Sequence, residues 1–187
     1  TRMLIKHTCK DFETVLICAS EYNKDLLPAN ACTIYDVDVP REISVQRDLK
    51  AVFKIRKIIK KESPDVIYCH SSMAGAIGRI AAMGLRGKVI YNPHGWSFDM
   101  AISPVKKTLY RFLEKILAMA TDKIVTISEY EKRIALKNRI CKENKIEVIL
   151  NGIDLEKCRS TKTEKTAFGY KESDFIIGCS ARLSEQK

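Results

Sequence analysis

The 187-residue chain has few aromatic residues (7%), one tryptophan, and only 8 glycines and 5 prolines. So little glycine and proline excludes collagen-like and low-complexity chains, and 45% hydrophobic residues argue against disorder across the whole length. Long apolar runs are missing too. The longest stretch without Asp, Glu, Lys or Arg is 66–78, rich in Ser and Gly, whereas a spanning helix needs about 20 mostly apolar residues. Nothing here is expected to cross a membrane. With three histidines and no CxxC pair, no zinc site of ordinary spacing is visible. The seven cysteines are odd in number, scattered and mostly inside apolar runs, which reads as buried, reduced thiols of a cytosolic protein. No signal-peptide pattern is read at the start, where residue 1 is Thr rather than Met, so a processed end or a piece of a longer protein is expected, and no repeat of 20 to 50 residues is found.

Positive charge is abundant: 33 Lys and Arg face 23 Asp and Glu, a formal net charge of +10. Such a surface favours nucleic acid, an anionic membrane or a phosphorylated small substrate, and charge alone does not choose among them. Neither zinc-finger spacing nor an RNP-like aromatic run supports nucleic acid.

Apolar runs at 14–18, 32–37, 66–69, 89–91, 124–127, 146–150 and 175–179 are rich in Val and Ile and do not alternate with polar residues. That is expected of parallel strands covered on both faces. Helical periods lie between them. In 44–62, Leu49, Val52, Phe53, Ile55, Ile58 and Ile59 form one stripe expected to face the sheet, while Lys50, Lys54, Lys57 and Lys61 face outward. Ser63-Pro64 ends that helix. A small-residue helix is expected at 72–83 and a third at 105–119, capped by Ser103-Pro104. A fourth starts at Ser128, boxed by Glu131, and runs to about residue 142. The order predicts an α/β, Rossmann-like doubly wound parallel sheet over 1–152. A charged linker and one strand, 153–187, read as the opening of a second domain, truncated here.

In open parallel sheets, ligands bind beyond the carboxyl ends of the strands. That rule selects His70-Ser71-Ser72, then Asn92-Pro93-His94-Gly95-Trp96, then Ser128-Glu129, Asn151-Gly152, and the run from Ser180 through Arg182 to Lys187. His94 is the best functional candidate, because Pro93 and Gly95 fix a tight turn around it. His70 divides evenly between function and structure. Ser128-Glu129 reads better as a helix cap with an acid at the positive end of the dipole. Asp36-Val37-Asp38 imitates a metal-binding DxD but belongs to an early strand, and no metal site is expected.

Five motifs occur in order: His70-Ser71-Ser72 with Gly75 and Gly78-Arg79; Pro93-His94-Gly95-Trp96-Ser97-Phe98; Ser128-Glu129-Tyr130-Glu131; Asn151-Gly152-Ile153-Asp154; and Ala181-Arg182-Leu183-Ser184-Glu185-Gln186-Lys187. Together they resemble the family-four retaining glycosyltransferases, particularly the bacterial capsule and exopolysaccharide branch. The resemblance implies a GT-B fold, with two Rossmann-like domains across a cleft. On it, the first domain takes the acceptor and the second, beginning near residue 153, takes a nucleotide-sugar donor. His94 then maps onto the cleft histidine that touches the donor sugar, and Arg182 and Lys187 onto the pair that holds the donor diphosphate. His70, Ser71, Ser72, Gly95 and Glu129 line the acceptor side.

The implied reaction is sugar transfer with retention to a growing polysaccharide or a polyprenyl-diphosphate-linked acceptor, without a metal or other cofactor. The implied location is cytoplasmic, at an anionic membrane surface reached through the lysines of 44–62. The 187-residue chain alone is expected to be inactive. The family's first strand and glycine-rich loop, and the paired glutamates of its second domain, have no counterpart here, and Ala181 stands where the family has Gly. A nucleotide-sugar epimerase of the same architecture and a basic nucleic-acid-binding module are the competing readings. Donor, acceptor and oligomeric state are not legible.

Overall fold

In the computed structural model, residues 2–24, 27, 31–39, 44–155 and 164–178 are described. A short helix, α1 (Arg2–Thr8), leads into strand β1 (Val15–Cys18), then β2 (Thr33–Asp36). There follow α2 (Val45–Glu62), β3 (Val66–His70), α3 (Ser72–Ala82), β4 (Lys88–Asn92), α4 (Pro104–Met119), β5 (Lys123–Thr126), α5 (Glu129–Lys137) and β6 (Ile146–Val148). All strand pairs are parallel, and each crossover in the second half is a helix, as parallel pairing demands. The fold class is the α/β, Rossmann-like one that the sequence predicts.

The strands form two sheets rather than one: β1-β2, and β3-β4-β5-β6 in sequential order. Packing joins them where hydrogen bonds do not. Ile55, Ile58 and Ile59 of α2 share a buried cluster with Ile77 and Ala81 of α3, Val89 of β4 and Val37, and Ile17 and Tyr35 of β1 and β2 pack against it. A second cluster gathers Cys69, Tyr91, Trp96, Phe98, Ala118, Ile124, Ala135 and Ile146 beneath α4 and α5.

Several expectations are corrected. Leu49 and Phe53 of α2 are 51% and 64% exposed, because the face that meets the sheet is centred on Ala51, Ile55, Ile58 and Ile59. The four lysines expected to face outward are exposed, and two of them also reach along the surface to β2: Lys54 Nζ donates to the Asp36 carbonyl at 2.7 Å and Lys61 Nζ to Tyr35 Oη at 2.5 Å. Asp36 itself pairs with Lys24, so the DxD look-alike is a strand end held by ion pairing.

Helix α5 stops at Lys137, short of 142. Ile140 N–H bonds the Ala135 carbonyl and Arg139 N–H that of Leu136, with Arg139 at φ 52°, which is a Schellman ending built on arginine. Residues 175–178 form no strand, and Phe175 is 91% exposed. Among the described residues no neighbouring strand offers them a ladder, and a strand without a partner is not stable. Cys179 lies outside the described residues.

Helix α3 is built from small residues for a visible reason. A Cβ on Gly75 would stand 2.5 Å from the Tyr91 ring, and one on Gly78 would stand 2.8 Å from Cys69 Sγ. Close approach lets Arg79, fully buried, reach Glu114 of α4: Nη2 to Oε2 is 2.9 Å. Tyr91 Oη donates to the other carboxylate oxygen at 2.9 Å, and the guanidinium lies 3.6 Å from the centre of the Tyr91 ring. This network ties α3, β4 and α4 together directly below the carboxyl ends of the strands.

Candidate functional site

The register His70↔Asn92 brings the ends of β3 and β4 level. Beyond them the chain turns sharply. Ser71 takes φ 64° and donates its N–H to the Asn92 carbonyl at 2.9 Å. Asn92, itself buried, accepts the His94 N–H on Oδ1 at 3.0 Å. His94 takes φ 52° and Gly95 φ 110°. Left-handed backbone costs about 1–2 kcal/mol for a residue with a Cβ. Two such residues on one rim mark stored strain of the kind that clusters at functional sites.

The strain has a visible product. His70 Nδ1 and His94 Nε2 stand 3.0 Å apart, with ring centres 5.3 Å apart and planes inclined by 19°. Tyr68, two residues back on β3, places its ring centre 4.2 Å from that of His70. Burial, and secondarily the neighbouring His94, push His70 down to about 4. Burial also lowers His94, opposed by the field of Glu131. Both rings are therefore neutral at pH 7. In a neutral N–H···N contact one ring donates and the other accepts, so each tautomer fixes the other. The free ring nitrogen of His94 is thereby set as either donor or acceptor.

The loop that carries His94 is anchored below. Trp96 is buried, stacks on Phe98 at 5.3 Å and donates its indole N–H to the Glu131 carbonyl at 2.9 Å. Glu131 closes the cap of α5, in a variant of the capping box shifted by one residue: its N–H donates to Ser128 Oγ at 3.2 Å, and its Oε2 accepts the N–H of Ile127, the residue before the cap, at 3.1 Å.

Of the residues selected from sequence, His70, Ser71, His94 and Gly95 come together at one rim. Ser72 is half-buried in the first turn of α3 and makes no hydrogen bond or ion pair with either imidazole. Glu129 is exposed in the first turn of α5 and makes no hydrogen bond or ion pair with either imidazole. Arg182 and Lys187 lie outside the described residues. Sequence reasoning had Asn92 only as a strand-end position and Glu131 only as a helix cap, and missed that Asn92 ties both turns and that the field of Glu131 reaches His94. The register of two strands, visible only in three dimensions, is what reveals Asn92. Among the described residues no three His, Cys, Asp or Glu side chains converge as metal ligands. The arrangement offers a neutral, oriented imidazole to a polar ligand above the sheet.

The profile of Glycosyltransferase Family 4 matches residues 2–157. The chain is 31% identical over 185 residues to an Escherichia coli UDP-Gal:alpha-D-GlcNAc-diphosphoundecaprenol alpha-1,3-galactosyltransferase, covering 95% of this chain and 48% of the relative. It is 29% identical over 158 residues to the Staphylococcus aureus capsular polysaccharide biosynthesis glycosyltransferase CapM, covering 81% and 41%. The chain thus spans about half the length of these relatives. In three dimensions it is similar to UDP-N-acetylglucosamine 2-epimerase from Rickettsia bellii, with TM-score 0.59 and 15% identity over 79% of this chain and 40% of that one. That likeness concerns the fold alone. With the family profile running through both the His70 and His94 turns, the chain belongs to glycosyltransferase family 4.

Proposed function

We propose that this chain forms the acceptor-side half of a retaining glycosyltransferase, which moves a sugar from a nucleotide-sugar donor to a growing polysaccharide or a polyprenyl-diphosphate-linked acceptor. In this reading residues 1–152 are the acceptor-side domain and 153–187 lead into the donor-binding one. The observation that carries it is the His70–His94 pair, 3.0 Å apart and held on strained turns at the carboxyl ends of β3 and β4. An imidazole whose ring is held by its partner can hydrogen-bond a sugar hydroxyl and hold it in place, which lowers the entropic part of the barrier. It adds no positive charge that would bind the diphosphate in the wrong place. Charge on the leaving diphosphate needs cations, and that task falls to Arg182 and Lys187. Attack on the same face from which the diphosphate departs gives retention.

Relatives support the substrate class. The Escherichia coli protein is named for a UDP-sugar donor and a diphosphoundecaprenol-linked acceptor, and the Staphylococcus aureus protein for capsular polysaccharide. The epimerase reading rests only on a likeness of fold. The test is transfer of labelled sugar from UDP-galactose, UDP-glucose and UDP-N-acetylglucosamine to a synthetic N-acetylglucosaminyl-diphospho-polyprenol. The polypeptide assayed carries this chain together with its donor-binding domain. Acceptor-dependent release of UDP supports transfer, whereas acceptor-independent interconversion of the UDP-sugars supports the epimerase.

A further inference from the structure

Strand β4 ends on a residue that serves two hydrogen bonds at once. By the alternation of a strand, Asn92 lies on the sheet face opposite to Tyr91, the face it shares with His70, its partner in register. Only 5% of its surface is exposed. The Asn92 carbonyl accepts Ser71 N–H at 2.9 Å, and Asn92 Oδ1 accepts His94 N–H at 3.0 Å. Those two N–H groups belong to the strained residues of the rim, Ser71 at φ 64° and His94 at φ 52°. One residue therefore holds both turns that bring the imidazoles to 3.0 Å.

The bond to His94 is an Asx turn, in which a side-chain oxygen takes the N–H of the second residue on. Pro93, between them, has no N–H to compete and a φ fixed near about −65°. Crowding does not dictate the turn. A Cβ on Gly95 would meet no atom within 4 Å, so the glycine answers its φ of 110° and not a close neighbour. Past the turn the loop is fastened separately, by Trp96 Nε1 to the Glu131 carbonyl and by Tyr130 Oη to Asp99 Oδ2 at 3.0 Å. Those anchors fix where the loop lies on α5. The turn at Asn92 fixes the direction of the His94 ring.

We propose that Asn92 is a positioning residue: its side-chain oxygen closes the turn that aims the His94 ring at His70, and without that oxygen the two imidazoles part. Asn92 touches no reacting atom and acts through His94. For its effect on turnover the inference rests on the transferase reading above; for the geometry of the rings it rests on the structure alone. The oxygen, and not the bulk of the side chain, is the working part. Deprived of its acceptor, the His94 N–H turns toward water, and the left-handed φ that this bond holds relaxes.

The test separates the oxygen from the shape. Threonine and valine have the same shape and both favour strands, but only threonine keeps an oxygen able to accept an N–H two residues on. In the 187-residue chain, a nuclear Overhauser contact between the His70 and His94 rings is expected for the native protein and for Asn92→Thr, and its loss for Asn92→Val. In the polypeptide carrying the donor-binding domain, Asn92→Val should lower kcat for sugar transfer by roughly ten- to a hundredfold at an unchanged KM for the UDP-sugar. Asn92→Thr should recover kcat to within about threefold of the native value. Lys88→Met, at the other end of β4, should change neither readout. If melting shows that valine is not tolerated, Asn92→Ala gives the same comparison without overpacking. Ring contact kept in a folded Asn92→Val or Asn92→Ala protein, or equal turnover by the threonine and valine variants, would overturn the assignment. A native polypeptide that transfers no sugar would instead sink the transferase reading, and the ring contact would then decide this one.

Discussion

Replacing Glu114 by alanine removes the only carboxylate that, among the described residues, pairs with the fully buried guanidinium of Arg79. Arg79 Nη2 loses its 2.9 Å partner, Nε keeps the Gly75 carbonyl at 3.1 Å, and Nη1 has no acceptor among the described residues even in the native protein. Breaking a buried pair by removing one member costs about 3–5 kcal/mol, because the remaining charge stays desolvated. The Tyr91 hydroxyl loses its acceptor as well. Against a total stability of about 5–15 kcal/mol the loss is large, and it should lower the melting temperature by about 10 °C. The chain provides its own control. Lys88 and Asp122 form an ion pair at 3.0 Å, but their side chains are 76% and 40% exposed, so Lys88→Met should cost under about 1 kcal/mol. Urea unfolding of both variants measures the contrast. Removing both charges, as Arg79→Met with Glu114→Leu, should restore most of the stability lost by Glu114→Ala. A cost for Glu114→Ala no larger than that of Lys88→Met would refute the reasoning.

Further outcomes can be measured in the same way. Gly75→Ala drives a Cβ to 2.5 Å from the buried Tyr91 ring, and overpacking of this kind should cost about 1–3 kcal/mol in urea unfolding. His70 has its folded value lowered to about 4 against an ordinary value of about 6.5, so the unfolded chain binds more protons between those limits. Stability should therefore fall as pH drops from about 6.5 towards 4, and His70→Asn should flatten most of the slope between pH 6.5 and 5, before the carboxylates titrate. In the polypeptide with its donor-binding domain, Arg182→Ala and Lys187→Ala should each weaken UDP binding by about ten- to a hundredfold in calorimetry.

Local chemistry made much of the fold legible. Runs of Val and Ile marked β1 to β6 to within one or two residues, Ser128 and Glu131 announced the start of α5, and small residues announced the close packing of α3. The position of both histidines followed from the rule that ligands lie beyond strand ends. Contacts between distant residues were not legible. The His70–His94 contact joins positions 24 apart, and Arg79 meets Glu114 over 35, so neither leaves a periodic trace. Arginine at the left-handed end of α5 hid that ending, because glycine is the usual signal. The stripe of α2 was broad enough to include Leu49 and Phe53, and only packing decided which part of it faced the core. Apolar periodicity in α4 likewise counted residues on both faces and could not tell the buried side from the exposed one.

If the His70–His94 pair orients the reacting sugar, a His94→Asn variant should lose transfer without losing its fold. Asparagine tolerates the left-handed backbone of position 94, so the turn and the melting temperature should be kept. In the polypeptide carrying the donor-binding domain, the turnover of labelled sugar to the diphospho-polyprenol acceptor should fall by roughly a hundredfold or more. A His94→Asn protein that folds normally and transfers sugar at the unaltered rate would contradict the claim.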